Sequence, residues 1–561
     1  VLDCGKYAGM TTMEAREAIV ADLKEIGALK EVEELTHDVG TCYRCHTTIE
    51  PMVSKQWFVK MAPLAKPAID VVRKGDTKFI PERFEKVYFH WMENIKDWCI
   101  SRQRKWGVPI PIFFCKECGE PYINKEAMMA VSELFRQEGS DAWFKKSASE
   151  ILPEGTKCPK CGGTDFDKEK DIMDVWFDSG VTHAAVCGQR PNLRRPADLY
   201  LEGADQYRGW FQSSLLTSVA TTGEAPYKAV VTHGWVVDGE GKKMSKSLGN
   251  GIDPSDVVNE YGADILRLWV ASSDYHADIR ISKEILKQLS EAYRKIRNTA
   301  RYILGNLNDF EPDTDSVSFD KLLPIDKWAL MKLDELNDKV REGYESFEFH
   351  QVFHAVHNFC VVDMSNFYFD VLKDRLYTEK SDGELRRAAQ TTIYIILDAM
   401  TRMIAPILAF TSDEIWKYMK HSKNDDAENV VFNSMPEKTG INADEEFITK
   451  WDRIHETRDI VKKAIEVAVK AKEIRSSLEA KITLKCTGEM YDFLKSVESE
   501  LTAAYIVSEI EIVNDESATE LKVEVSHAAG EKCERCWCFS NTVGKNPKHI
   551  TLCERCAKVL E

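Results

Sequence analysis

Paired cysteines are the feature of this 561-residue sequence that most restricts how it can fold. Ten of its 16 cysteines form five Cys-x-x-Cys pairs, which are Cys42/Cys45, Cys115/Cys118, Cys158/Cys161, Cys533/Cys536 and Cys553/Cys556. In a large chain with no visible secretion signal, such pairs indicate metal-binding turns rather than disulfides. Because a structural zinc takes four ligands, five pairs make two sites and leave one pair over.

The last two pairs give the strongest metal signal. They are separated by 16 residues, a spacing typical of a four-thiolate zinc site, although Cys538 adds a spare thiol inside the loop. The second and third pairs are each followed by a glycine, which tolerates a positive φ, and we predict that they form the second site. At the terminal site the metal could serve only to hold the fold together, or the metal-bound module could also contact a phosphate backbone.

The length and charge of the chain restrict its number of domains and the kinds of partner that it can bind. The length predicts about three to four domains, and a chain of this size needs no disulfides for stability. A mean hydropathy of −0.35 is typical of a globular protein, and no apolar run approaches the ~18 residues of a membrane helix. The net charge of −17 excludes a generally basic surface but leaves room for local basic patches that bind nucleic acid.

Hydrophobic periodicity divides the chain near residue 285. Strand and helix signals alternate before it and predict an α/β layer, whereas apolar residues recur at helical spacing after it. We predict a helix over 13–26, opened by Thr11 or Thr12, and a long charged helix over 452–477. Strands are predicted at 229–231, 235–237, 481–485 and 521–525.

The sharpest motif is KMSKS at 243–247, which follows the turn-rich segment DGEG at 238–241. Most such segments are exposed basic loops. However, two lysines flanked by small hydroxyl side chains also suit polyphosphate chemistry, because their ammonium groups can balance the charge that builds on a departing pyrophosphate.

This motif resembles the signature of the class I aminoacyl-tRNA synthetases. Four further segments resemble that family: WCISRQRKWGVPIP at 98–111, DVWFDSG at 174–180, YLEGADQYRGWF at 200–211 and THGWVV at 232–237. Valyl members share SRQ, DVWFDSG and KMSKS. The isoleucyl branch is favoured by the VPIP ending, DYHADIRIS at 274–282, YRKIRNT at 293–299 and the terminal Cys-x-x-Cys-Trp. The resemblance covers essentially the whole chain.

The resemblance implies a multidomain α/β plus all-α fold, with a Rossmann-type catalytic half. The implied domains are the end of an editing domain at 1–36, the C-terminal half of the catalytic domain at 37–285 with a zinc insert at 111–170, a helical anticodon-binding domain at 286–455, a C-terminal helix and small α/β subdomain at 456–530, and a zinc-binding module at 531–561.

The resemblance also implies an activity. Such enzymes use ATP with Mg²⁺ to activate L-isoleucine as an aminoacyl-adenylate, transfer it to tRNA(Ile), and carry one or two Zn²⁺ ions. By motif position, Lys243 and Lys246 are catalytic, with Lys246 binding ATP. The implied isoleucyl-adenylate contacts are Glu202, Gly203, Asp205, Gln206, Trp176 and Trp210. We expect a cytoplasmic monomer.

Other tryptophans and basic residues of the sequence fit ordinary structural roles. Tryptophans are most often core residues, and we predict that role for Trp57, Trp91, Trp98 and Trp106. A basic cluster is usually a solvated helix face, but a tRNA partner makes phosphate contacts plausible for Arg294, Lys295, Arg297 and Arg301. The basic side chains around the terminal cysteines suit a phosphate backbone for the same reason.

The sequence departs from the family pattern in one important respect. It contains no HIGH-like tetrapeptide, the second catalytic signature of class I enzymes, and no counterpart of the editing motifs. A hydrophobic pocket gains little free energy from one methylene, so isoleucyl enzymes edit valine. We therefore expect this chain to be the C-terminal part of a longer protein, inactive alone, with Cys42/Cys45 paired to an upstream turn.

Three alternatives remain at this stage. The nearest is a valyl or leucyl enzyme of the same class. The second is a non-catalytic RNA-binding protein, which the missing signature favours and the adenylate motifs oppose. The third is a zinc-finger DNA-repair enzyme, suggested by the terminal cysteine spacing and supported by nothing upstream.

Overall fold

A computed structural model describes residues 4–42, 44–245 and 248–561. The chain divides into two compact units, Val1–Met61 with Lys96–Val175, and Ala62–Ile95 with Trp176–Glu561. Within the described residues, every helix is too short or too polar to cross a lipid bilayer.

The first unit begins with a well-capped helix. Thr11 accepts a hydrogen bond from the Glu14 backbone N–H, and the Glu14 carboxylate accepts one from the Thr11 N–H, so both capping-box bonds are made. The helices of this unit are Thr12–Glu25, Lys125–Glu138, Ala142–Lys145 and Ala148–Ile151. Its strands are Phe58–Val59, Trp98–Cys99, Ser101–Arg102, Phe113–Cys115, Pro121–Tyr122, Phe166–Lys168 and Ile172–Met173.

The insert at 111–170 has a core of its own. Phe113–Cys115 is the central strand of an antiparallel sheet, and Phe113 packs edge-on against the buried Trp143 at a centroid distance of 5.1 Å. The Trp143 indole N–H donates to the Glu169 carbonyl at 3.0 Å. The aromatic side chains thus form one core with Cys115 and Cys158 of the insert.

The second unit opens with a parallel three-stranded sheet in the order Lys78–Ile80, Tyr227–His233, Ala197–Gly203. A shorter parallel pair joins Val236–Val237 to Ile279–Arg280. The helices of this part are Ala62–Arg73, Phe84–Glu93, Val175–Gly180, Trp210–Thr222, Pro254–Tyr261 and Ala263–Ser272.

A helical bundle follows. Its helices are Lys283–Asn306, Pro312–Asp315, Pro324–Glu345, Phe349–Asn358, Phe369–Thr378, Glu384–Ile404, Ala409–Tyr418 and Glu445–Lys470, with π-helical backbone at Phe359–Tyr368. One continuous hydrophobic core runs from Leu268 through the bundle to Ile512. Within it, Arg375 and Asp326 form a buried ion pair.

The chain ends in a small sheet and a cysteine-rich module. Strand Ala480–Cys486 pairs parallel with Glu509–Asn514 and antiparallel with Lys522–His527, beside helices Gly488–Ser496 and Glu498–Tyr505. The terminal module, residues 531–561, consists of the hairpin Glu531–Lys532/Phe539–Ser540 and helix Glu554–Leu560.

Two predictions made from the sequence need correction. The charged helix ends at Lys470, because Lys472 adopts φ 63° and the Glu473 N–H bonds the Ala468 carbonyl in a Schellman turn. The four tryptophans assigned to the core are not buried. Trp106 is 89% exposed, and Trp57, Trp91 and Trp98 are half-buried. The indole N–H groups of Trp57 and Trp98 donate to the half-buried Glu169 and to the buried Asp174.

Candidate active site

The predicted adenylate-binding residues lie at the carboxyl edge of the parallel sheet. Glu202 is opposite Thr232, and Gly203 is opposite His233, so two adjacent strands end together. Ligands of open α/β sheets bind outside this edge. Glu202 and Asp205 are exposed there, and a Cβ on Gly203 would lie 2.9 Å from an Asp205 carboxylate oxygen.

Gln206 and Gly209 link this edge to the next helix. The Gln206 side-chain oxygen accepts from the Trp210 backbone N–H at 2.8 Å and thereby caps helix Trp210–Thr222. A Cβ on Gly209 would lie 2.4 Å from the same Gln206 oxygen and 3.1 Å from the Trp176 ring. The absence of a side chain at 209 lets these three residues pack together.

The two predicted aromatic walls differ in burial. Trp210 stacks on Tyr200 with ring centroids 4.2 Å apart, and its indole N–H donates to the Ser179 carbonyl at 2.9 Å. Trp176 is 40% exposed beside Gly209. The structure therefore brings both tryptophans to the same edge, with Trp210 held in place and Trp176 presenting its ring to solvent.

Asp238 and Asn250 hold the described part of the signature motif, residues 243–245. The Asn250 amide donates to Asp238 at 2.8 Å and to the Lys243 carbonyl at 3.2 Å, and its oxygen accepts from the Ser245 N–H at 3.0 Å. Hydrogen bonds to the Asp238 carboxylate lower its pKa below the usual value. The largest contribution comes from the Asn250 amide, and smaller ones come from the backbone N–H groups of Lys242 and Glu240. We call these hydrogen bonds of Asn250 with Asp238, Lys243 and Ser245 the Asp238–Asn250 clasp, and they hold the backbone at Lys243.

The two signature lysines are described unequally. Lys243 is exposed and forms an isolated bridge with Val237, whereas Lys246 lies outside the described residues. Met244 packs on a hydrophobic cluster that includes Val257, Ile265 and Trp269. The loop is thus anchored by an apolar contact as well as by the clasp.

His183 and His233, to which the sequence assigns no catalytic role, have structural partners. His183 is 1% exposed, hydrogen-bonds Thr217 at 3.2 Å, and has a pKa lowered to about 4, chiefly by burial. His233 bonds the Gly234 carbonyl at 2.8 Å. Neither geometry favours a catalytic role.

The four predicted tRNA-contacting residues lie on helix Lys283–Asn306. Arg294, Lys295, Arg297 and Arg301 are all exposed on it. Residues three, four and seven apart share a helix face, so three of the four form one basic stripe. This arrangement is compatible with a phosphate backbone.

Two clusters of four thiols fit a metal. Within each set, Cys115/Cys118/Cys158/Cys161 and Cys533/Cys536/Cys553/Cys556, all four Sγ atoms lie within 4.8 Å of one another. Thiols in tetrahedral contact with zinc at about 2.3 Å are about 3.8 Å apart, and the measured Sγ–Sγ distances include 3.5 Å for Cys115–Cys161 and 3.8 Å for Cys536–Cys553. Both donor sets fit Zn²⁺.

The backbone of the insert's second turn favours the thiolate that zinc requires. The N–H groups of Cys161 and Lys160 lower the pKa of the Cys158 thiol to about 7. Cys538, the spare thiol, is outside the terminal cluster, and Cys42/Cys45 belongs to neither set.

Sequence reasoning did not identify the Asp238–Asn250 clasp. Its signal was present, since an aspartate opens the DGEG turn and an asparagine follows the motif by three residues. An Asp and an Asn twelve residues apart are common in loops, and only the folded turn brings their side chains together.

Comparison with protein families places this site in a known class. A model described as tRNA synthetases class I (I, L, M and V) matches residues 11–282, and one described as an anticodon-binding domain of tRNA ligase matches 326–484. A third, a zinc finger found in FPG and IleRS, matches 530–559. The chain thus contains a class I tRNA synthetase domain, an anticodon-binding domain and a zinc finger of the kind found in IleRS.

Curated proteins similar to this chain include isoleucine–tRNA ligases. The one from Caldanaerobacter subterraneus is 51% identical over 565 residues, covering 99% of this chain and 60% of that protein. The one from Caldicellulosiruptor saccharolyticus is 50% identical over 560 residues, with 100% and 60% coverage. The chain therefore spans about 60% of the length of the curated relatives it matches.

A solved structure supports the fold. Methionyl-tRNA synthetase from Mycobacterium tuberculosis, in complex with methionyl-adenylate, matches with a TM-score of 0.50 at 18% identity, over 70% of this chain and 68% of that one. The predicted combination of a class I catalytic fold, a helical anticodon-binding domain and a terminal zinc finger is confirmed.

Proposed function

We propose that this chain forms the signature-loop side of the active site and the anticodon-binding part of an isoleucine–tRNA ligase. The observation that carries the proposal is the alignment at about 50% identity along essentially the whole chain with enzymes of that name. A site for an aminoacyl-adenylate is supplied by the exposed carboxylate of Glu202 at a strand end, the glycine beside it and the loop held by the Asp238–Asn250 clasp.

The first proposed step is adenylate formation. A carboxylate oxygen of L-isoleucine attacks the α-phosphorus of ATP, the bond from that phosphorus to the bridging oxygen breaks, and pyrophosphate leaves with its Mg²⁺. Lys243 and Lys246 balance the charge that accumulates on the leaving group, so catalysis rests on positioning and electrostatics. Glu202, Gly203, Asp205 and Gln206 hold the adenylate.

The two tryptophans of the site bind the side chain of isoleucine. Trp176 and Trp210 line an apolar wall for isoleucine, and Trp210 is held by its stack on Tyr200. Because one methylene contributes little binding free energy, valine is removed by editing in the whole protein.

The second proposed step is transfer. A ribose hydroxyl at the 3′ end of tRNA(Ile) attacks the adenylate carbonyl carbon, and AMP leaves. The basic stripe on helix Lys283–Asn306 and the terminal module contact the tRNA backbone. We propose that the enzyme works in the cytoplasm as a monomer.

The test is ATP–pyrophosphate exchange by the natural protein that contains this chain. Isoleucine should support exchange, and Lys246→Ala should lower kcat by about 100-fold, the usual cost of removing one transition-state charge contact. Lys242→Ala is the matched control, since Lys242 is an exposed neighbouring lysine paired with Glu240. Faster exchange with valine or leucine, or equal losses in both variants, would overturn the proposal.

A further inference from the structure

The two Cys-x-x-Cys turns of the terminal module have the same sequence, Cys-Glu-Arg-Cys, at 533–536 and 553–556. The arginines of both turns, Arg535 and Arg555, contact one helix of the bundle, Phe369–Thr378. Two metal-binding turns therefore meet one partner element through the same position of each turn.

Arg535 binds the end of that helix. Its Nε and Nη2 donate to the Thr378 carbonyl at 3.2 and 3.1 Å. Thr378 is the last residue of the helix, where carbonyl groups have no intrahelical partner and carry partial negative charge. The guanidinium thus satisfies an acceptor that the helix leaves open.

Arg555 connects the bundle to a metal ligand. Its Nη2 donates to Asp374 Oδ1 at 2.7 Å, and Nη1 donates to the other carboxylate oxygen, which makes the pair bidentate. Arg555 directly precedes the zinc ligand Cys556 in the sequence. Its side chain therefore ties this metal-binding turn to the bundle.

The receiving helix is firmly held. Arg375, in the same helix, donates to Asp326 through Nη1 at 2.7 Å, and the Tyr368 hydroxyl donates to Asp326 at 2.6 Å. Asp326 is fully buried and Arg375 is 8% exposed. Asp374 and Thr378 thus lie on a helix that is joined to the bundle core by a buried ion pair.

We infer that Arg535, Arg555 and Asp374 are positioning residues that couple zinc binding by the terminal module to its docking on the bundle. Zinc fixes the two turns that present the arginines, and groups that orient metal ligands from outside the ligand set raise metal affinity. Linkage is reciprocal, so docking must strengthen zinc binding by the factor by which zinc strengthens docking.

This assignment changes the interpretation of the module's charge. Arg535 and Arg555 belong to the basic set that the sequence associates with a phosphate backbone, and the structure shows both bonded within the protein. Their contribution to RNA binding would be indirect, through the placement of the module.

The experiment uses the full chain loaded with zinc, with Asp374→Asn as the test variant. The rate of thiol alkylation is measured peptide by peptide by mass spectrometry, so the terminal cysteines are followed separately. We expect Asp374→Asn to raise their alkylation rate by about 10-fold, the low end of the effects on metal affinity of residues outside the ligand set. Asp374→Glu should restore most of the protection.

Two controls separate coupling from general unfolding. Cys360 and Cys486 are buried thiols of the same unit, and their alkylation should not change. Lys558→Gln removes the ion pair with Glu554 inside the module and should leave the terminal cysteines protected. Unchanged terminal rates in Asp374→Asn, or equal acceleration at Cys360 and Cys486, would overturn the inference.

The reciprocal measurement is hydrogen exchange in the chain carrying Cys553→Ser, which removes one ligand. We expect faster exchange in the last turn of helix Phe369–Thr378, where Arg535 no longer covers the carbonyl. Exchange equal to that of the unmodified chain would contradict the coupling independently of alkylation.

Discussion

The two cysteine clusters use the same ligands in different surroundings. In the insert, Cys161 is exposed and Cys118 is half-buried, whereas all four cysteines of the terminal module are buried. The insert cluster adjoins a core that contains Phe113, Trp143 and Phe166. The terminal cluster consists of the cysteines themselves, with only Cys538, Val543 and Leu552 partly buried around it.

The clusters also differ in the ion-pair partners of the basic residues beside their cysteines. Lys160 and Arg555 occupy the same place, directly before the second cysteine of a turn. Lys160 pairs with Glu120 of the insert itself, whereas Arg555 pairs with Asp374 of the bundle. One site is thus supported by its own core, and the other by its metal and its partner.

The largest expected effect is the loss of one ligand. Cys553→Ser should unfold residues 531–561, because zinc binding supplies about 10–16 kcal/mol in small finger peptides and little other core is present. Cys158→Ser should also lose one zinc but leave the insert helices packed on Trp143. Limited proteolysis with zinc analysis checks both variants, and equal protease resistance of the two regions would break the comparison.

An intermediate effect is expected from the core of the insert. Trp143→Ala removes a side chain that is 1% exposed and should destabilise the insert by about 3–5 kcal/mol. Alkylation of Cys115 and its three partners should then accelerate even with zinc present. Trp537→Ala, at a site 60% exposed in the terminal module, is the matched control and should cost little. Similar results for both tryptophans would refute a separate insert core.

The smallest effect should come from Lys160→Gln. Its ion pair with Glu120 is exposed, and such pairs contribute little. We expect less than about a twofold change in alkylation of the insert cysteines. A change as large as that of Asp374→Asn at the terminal site would show that the two charged neighbours act alike.

Local signals in the sequence determined much of the fold. The Thr11 and Glu14 pair predicts a helix start that the structure contains, and alternation at 481–485 predicts a strand found at Ala480–Cys486. These predictions succeed because capping and pleating depend on neighbours a few residues apart. The strand Glu509–Asn514 was missed, although Ile510 and Ile512 alternate with glutamates in the same way.

The tryptophans show where such reasoning fails. Burial of Trp57, Trp91, Trp98 and Trp106 was predicted from residue type, and the structure leaves all four at least partly exposed. An indole N–H needs a hydrogen-bond partner. Those of Trp57 and Trp98 donate to Glu169 and to the buried Asp174, while both rings stay half-buried.

Residue types at short fixed spacings predict the chemistry of this protein: its paired-cysteine turns, its signature lysines and the motifs that resemble those of class I synthetases. The surroundings of each cysteine site follow only from the folded chain, because the contacts that distinguish the two sites join distant residues. Arg555 and Asp374 are 181 residues apart in sequence, and no local pattern relates a metal-binding turn to the helix that receives it.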